Sequence, residues 1–336
     1  VEKTRRWRWG VNRWIILLFI VLSYFGARAF SPILPHVQLP AEHLTGPLFT
    51  LPVIGELALT NTLVATAIAD VLILLLAWSV YRAVKKGDMI LSGLPGAVEG
   101  IMEALYNLTE STAGKWAKAI FPWMATIFML VLVVNWMELI PGVDSIGLLH
   151  HDEHGYPVKE VARIGDLPVM TIVKEGAEAG AHAGEHGQEE LFTLVPFVRV
   201  ASTDLNFTVG LALISVAMTQ VFGVRALGLT YFTKFFNVKT LFSKPFFGAI
   251  DFGVGLLELV SEISKLLSFS FRLFGNIFAG SVLLFVIGSL VPIFAQTIFL
   301  LLEFFVGLIQ AIVFAMLTMV FMAQATAGHG HEGEAH

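Results

Sequence analysis

Two consecutive apolar runs, Phe246–Leu290 and Val291–Ala323, are longer than a simple bilayer crossing and constrain the fold more than any other feature of the chain. At 1.5 Å rise per residue, a helix of roughly 40 residues reaches about 60 Å against a hydrocarbon core of about 30 Å. Such helices must tilt strongly, bend or extend beyond the lipid, and Pro292 suits a turn between two arms of a slanted hairpin. Four shorter runs, Trp14–Phe30, Leu63–Tyr81, Ile120–Ile140 and Phe207–Phe222, bring the expected crossings to six. Composition agrees: 56% of residues are hydrophobic and 14% charged, where a soluble domain carries about 25% charged residues. The expected fold class is all-α, a polytopic membrane protein. The chain has no cysteine, which excludes disulfides, thiolate metal centres and cysteine nucleophiles. A net charge of -5 gives no general case for nucleic-acid binding.

Basic residues set the expected orientation. Lys3, Arg5, Arg6, Arg8 and Arg13 precede the first run; Arg82, Lys85, Lys86, Lys115 and Lys118 follow the second; Arg225, Lys234, Lys239 and Lys244 follow the fourth. Between Ser31 and Thr62 there is neither Lys nor Arg. Both termini are therefore expected in the cytoplasm, with Ser31–Thr62 and Asp144–Val198 outside. The first run ends in Ala27-Arg28-Ala29, which could pass for a cleavage site, but its lead-in carries three tryptophans suited to a membrane interface, favouring a retained anchor. Leu91–Lys118 mixes apolar and polar residues at helical spacing and reads as an amphipathic surface helix.

The outer loop Asp144–Val198 is acidic and rich in histidine, with His150, His151, His154, His182 and His186 among Asp152, Glu153, Glu185, Glu189 and Glu190. That composition reads as a solvated, partly disordered insertion, with a metal site or proton-collecting surface as the alternative. The tail His329–His336 has the same character. The chain thus divides into an N-terminal anchor or signal-like helix with an outer segment (1–62), two membrane helices with an amphipathic connection (63–143), the outer loop (144–198), a membrane helix and long tilted hairpin (199–326), and a polar tail (327–336).

Arg272 lies inside the first long run, where a cation costs roughly 2.5–3.5 kcal/mol and cannot be relieved by losing its proton. Glu258, Ser261, Lys265, Ser268, Arg272 and Asn276 recur at separations of three or four and share one helical face. A stripe holding a carboxylate, an ammonium, a guanidinium and an amide is costly to bury against lipid, so it lines a hydrated path or faces protein. On the second arm Glu303 and Gln310 share a face. Antiparallel packing about Pro292 sets Arg272 near Gln310 and Ser281 near Glu303, within about a turn. Glu303 then reads as a protonatable relay; the competing reading is a buried Glu303–Arg272 pair, which the same register separates by about 10 Å. Asp204 and Asn206 begin the fourth run, either as helix caps or as an aqueous entrance. Glu138 stands at an interface position just before the helix-stopping Pro141, open to a structural or a functional role. Asp70 lies within the second run and has no assigned role.

These stretches resemble subunit a of the F-type ATP synthase, the membrane stator that carries the proton path. The resemblance runs from about Leu63 to Thr326 and is most specific over Ser268-Phe269-Ser270-Phe271-Arg272-Leu273-Phe274-Gly275-Asn276-Ile277-Phe278-Ala279-Gly280. Asn135-Trp136-Met137-Glu138-Leu139-Ile140-Pro141, Thr203-Asp204-Leu205-Asn206-Phe207-Thr208 and Leu308-Ile309-Gln310-Ala311-Ile312-Val313-Phe314 follow family motifs in the same order. The resemblance implies that Arg272 is the essential stator arginine facing each passing carboxylate of the c-subunit rotor ring. It implies Gln310 as the polar neighbour of Arg272, Asn276 as a channel-lining amide, and Glu258, Ser261, Ser264 and Ser268 as the cytoplasmic exit path, a stripe that includes Lys265. The chain departs from the pattern at Ser281, where a carboxylate is common, and at Glu303, which is often histidine.

The implied mechanism uses two half-channels that reach the mid-membrane from opposite sides without meeting, kept apart by the fixed charge of Arg272. A proton entering past the Asp204 region and Glu303 neutralises a rotor carboxylate, which leaves its proton near Glu258 after nearly a full turn. Each charge crossing contributes about 2.3 kcal/mol per 100 mV. The implied partners are the c-ring, the b-subunit peripheral stalk, the other synthase subunits and lipid, in a bacterial plasma membrane. The resemblance implies no cofactor or metal. The chain has no phosphate-binding GxxxxGK[ST] loop, so no ATP site is expected on it. The rival reading is a stand-alone ion-coupled transporter with Arg272 binding an anionic substrate, which predicts inverted repeats and broken helices.

Overall fold

The structure is a computed structural model, and it describes residues 9–29, 40–47, 49–51, 55–86, 93–140, 143–164, 167–173, 191–235, 245–291 and 294–327. Its helices are α1 (Trp9–Ala29), α2 (Asn61–Lys85), α3 (Leu94–Ala113), α4 (Ala117–Met137), α5 (Leu205–Leu227), α6 (Pro245–Leu290) and α7 (Phe294–Thr326). Five segments among the described residues are long and apolar enough to cross a membrane, with α3 and α4 counted as one, and Arg13–Phe25 is a shorter apolar stretch. The chain is an all-α, multi-pass membrane protein. The two overlong runs become helices of 46 and 33 residues, bounded within a few positions of the sequence expectation. The turn expected at Pro292 lies outside the described residues, as do Lys3, Arg5, Arg6, Arg8, Lys239, Lys244, His182, His186, Glu185, Glu189, Glu190 and the tail from 328.

Local chemistry explains the helix ends. Gly114 stops α3 at φ +52°, a conformation that costs a residue with a Cβ, and its N–H returns to the Glu110 carbonyl. A single 3-10 turn, Gly114–Trp116, then leads into α4. Pro122 lies inside α4, at its sixth residue, and leaves the Lys118 carbonyl without its usual i+4 donor. Gly228, at φ +64°, ends α5 before the 3-10 segment Gly228–Lys234.

Chain contacts form two compact units. One comprises 1–64, 138–199 and 278–305. It holds α1, the antiparallel pair β1 (Phe49–Leu51) with β2 (Gly55–Leu57), and the outer segment. That segment departs from expectation: β3 (Gly147–Tyr156) pairs antiparallel with β6 (Phe192–Pro196), and β4 (Val158–Ile164) pairs with β5 (Leu167–Ile172). The β-branched residues of Val158-Lys159-Glu160-Val161 and Val169-Met170-Thr171-Ile172 carry a strand propensity that the acidic, histidine-rich average conceals. The other unit comprises 65–137, 200–277 and 306–336 and is a helix bundle whose core includes Phe128, Val131, Leu273, Ile277 and Met319.

Candidate functional site

In the helical unit, the stripe on α6 opens into a cleft of about 250 Å3, lined by Ser261, Ser264, Lys265, Ser268 and Arg272 and closed by Phe269 with Leu317 and Phe321 from α7. The Arg272 guanidinium donates from Nη2 to Ser268 Oγ at 3.3 Å, one helical turn back. Phe269 is buried, with ring centroids 5.2 and 5.4 Å from Phe314 and Phe321. In an antiparallel pair the Phe269–Phe314 contact sets Arg272 about level with Gln310, which is buried on α7. Asn276 is exposed one turn beyond Arg272, and Glu258 is half-buried.

Lys265 belongs to an ion pair that the sequence stripe did not include. Its Nζ lies 2.8 Å from Glu262 Oε1 and 4.8 Å from the centroid of the Phe321 ring. Glu262 is buried, and its other oxygen accepts from Gln220 Nε2 at 3.2 Å. Gln220 Oε1 in turn accepts from the Tyr231 hydroxyl at 2.7 Å. Burial, with smaller contributions from Glu262 and Glu258, pushes the Tyr231 phenol up to about 12, so it stays an O–H donor. Glu262 was legible: it is four residues from Glu258 and three from Lys265, the spacings at which helical charges meet. Gln220 and Tyr231 come from other elements, and no local spacing points to them.

In the strand-bearing unit, Glu303 is buried and its carboxylate lies against Gly280, where a Cβ would occupy the same space. One Glu303 oxygen, Oε1, has no hydrogen-bond partner among the described residues. The neighbouring Ser281 donates to Glu138 Oε1, and Glu138 Oε2 has no hydrogen-bond partner among the described residues. Glu303 and Asp144 both bear electrostatically on Glu138. Glu138 is thereby gathered with the Ser281–Glu303 pair, which its place beside Pro141 did not foretell. Asp144, in the 3-10 turn Val143–Ser145, is pushed up from 3.8 to about 6 by burial, against the attraction of Arg199.

Asp204 caps the start of α5. Asp204 is buried and accepts from the Asn206 N–H at 2.9 Å, the N-cap arrangement. The Asn206 side chain is exposed. Asn135 donates to the Gly307 carbonyl at 3.2 Å and accepts from Ser202 Oγ at 2.7 Å, a buried tie between α4, the 3-10 turn before α5 and α7. Asp70 is exposed on α2. Among the described residues no group of three or more His, Asp or Glu is placed to hold a metal ion.

Fold and site together define a class: multi-pass α-helical membrane proteins that carry fixed and titratable charge along overlong helices. The sequence profile of the ATP synthase A chain family matches residues 63–323. ATP synthase subunit a of Moorella thermoacetica is 26% identical over 276 residues, covering 82% of this chain and 95% of the relative. The subunit a of Psychromonas ingrahamii is 30% identical over 257 residues, 73% of this chain and 78% of its own length. That of Mycobacterium bovis is 26% identical over 281 residues, 81% and 89% of the two chains. The chain belongs to the ATP synthase A chain family. Its place is the membrane sector, in proton transport for ATP synthesis, with other synthase subunits as partners.

Proposed function

We propose that this chain is the stator that couples proton flow to rotation of a c-ring, with Arg272 as the fixed cation facing the rotor carboxylates and separating two offset half-channels. The observation that carries this reading is the Arg272 guanidinium opening on a serine-lined cleft, with Ser268 as its hydrogen-bond partner. A guanidinium cannot discharge at membrane depth, so it repels protons while stabilising the ionised rotor carboxylate in front of it. We assign Glu303, Ser281 and Glu138 to proton intake, and Gln310 and Asn276 to the polar surroundings of Arg272. By the resemblance we also assign Asp204 and Asn206 to proton entry. The exit half-channel follows Ser268, Lys265, Ser264, Ser261 and Glu258. The complex lies in a bacterial plasma membrane with the C-terminus of this chain in the cytoplasm, held by the b-subunit stalk.

The test is ATP-driven acidification of proteoliposomes holding the whole complex. Arg272→Ala abolishes pumping and coupled synthesis while soluble ATP hydrolysis persists. Normal acidification by a correctly assembled Arg272→Ala complex overturns the reading.

A further inference from the structure

The exit stripe contains a second cation, and the structure shows what restrains it. Lys265 lines the same cleft as Arg272, one side of its ammonium on the Phe321 ring and the other on Glu262. Glu262 is held from two directions: Oε1 takes Lys265, and Oε2 takes Gln220 Nε2. The Gln220 amide presents its NH2 to Glu262 because its oxygen is occupied by the Tyr231 hydroxyl. The Tyr231 ring reaches that position by resting on Gly223, where a Cβ would overlap it. Two residues of α5 and one from the following 3-10 segment thus fix one carboxylate of α6.

We infer that Glu262 is a positioning residue for proton exit, binding the Lys265 ammonium as a neutral pair at the cleft wall so that the positive charge of the cleft stays at Arg272. The inference rests on the exit-path reading above. Lysine carries a compact charge on a flexible stem with three donors. Released from Glu262, it swings among Ser261, Ser264 and Ser268 and places a bare cation where a proton must pass. It then acts as an unwanted second barrier. Gln220 and Tyr231 act one step further back by orienting the carboxylate.

The experiment compares Glu262→Gln, Lys265→Gln and Glu262→Gln/Lys265→Gln complexes in proteoliposomes, with c-ring and catalytic head confirmed in each preparation, and Arg272→Ala alongside. Glu262→Gln slows ATP-driven acidification about tenfold, the factor equivalent to one pKa unit of disfavour for the passing proton. The double variant recovers most of that loss, because the cation is gone. If Arg272→Ala abolishes pumping but Glu262→Gln pumps at the wild-type rate, or its loss is not relieved by removing Lys265, the positioning role is overturned and the stator reading stands. If Arg272→Ala pumps normally, the parent reading is the one that fails.

Discussion

Asp144→Asn tests the energetics of the strand-bearing unit. Asp144 lies in a short turn outside the membrane helices, with Oδ1 lacking a hydrogen-bond partner among the described residues, and burial lifts its carboxyl from 3.8 to about 6 although Arg199 pulls the other way. The folded protein therefore holds this proton more tightly than the unfolded chain. The stabilisation is complete below pH 3.8 and is lost as pH rises through about 6. Above that, ionised Asp144 costs the fold about 3 kcal/mol, at about 1.4 kcal/mol per tenfold change in proton affinity. Asparagine keeps the shape and removes the charge. At pH 7.5 the variant is expected to be about 2–3 kcal/mol more stable than wild type, and the advantage should shrink through pH 6 and vanish near pH 4. Denaturation in detergent micelles, followed by tryptophan fluorescence from pH 4 to 8, measures the difference directly. An advantage that does not change with pH, or a variant less stable than wild type at pH 7.5, refutes the reasoning.

Two further expectations concern glycines under side chains. Gly280→Ala pushes the Glu303 carboxylate from its seat, and because only the end of a flexible side chain must move, assembly is retained while proton flux falls. Glu303→Gln also slows flux, and adding Gly280→Ala to it should change little further; two fully independent losses in a stopped-flow acidification series would show that the glycine acts elsewhere. Gly223→Ala meets the rigid Tyr231 ring and breaks the Tyr231–Gln220 bond. Overpacking of about 1–3 kcal/mol outweighs a helix-propensity gain of about 1 kcal/mol, so thermal denaturation should show a net loss, and an unchanged melting curve counts against the contact.

Much of the architecture was legible because membrane helices announce themselves by run length and residue type, both local properties. Phe246–Leu290 needed only counting, and the stripe from Glu258 to Asn276 needed only the helical repeat. The strands between Gly147 and Pro196 were hidden because acidic residues and histidines dominate the average, while the β-branched residues that favour strands are few. Asp204 was legible as a cap or an entrance, and its bond to the Asn206 N–H is the cap. Gln220 and Tyr231 were illegible for another reason: a hydrogen bond from one element to the next leaves no periodic trace in either.

The same distinction bears on the carboxylates of the intake side. The family pattern implies an acid nine residues after Arg272, where this chain has Ser281. The Ser281 hydroxyl instead donates to Glu138, a residue 143 positions away in sequence, while Glu303 comes from α7 to lie on Gly280. A relay requires proton-binding groups bordering one hydrated space, and the backbone that supplies them is immaterial to the chemistry. A glutamate at 281 would add a third acid to two that already act on each other electrostatically and would remove the donor that Glu138 uses. On the proposed path, serine at 281 is thus the companion of the acids at 138 and 303: a hydroxyl can donate to a carboxylate at any pH, which an ionised glutamate cannot do.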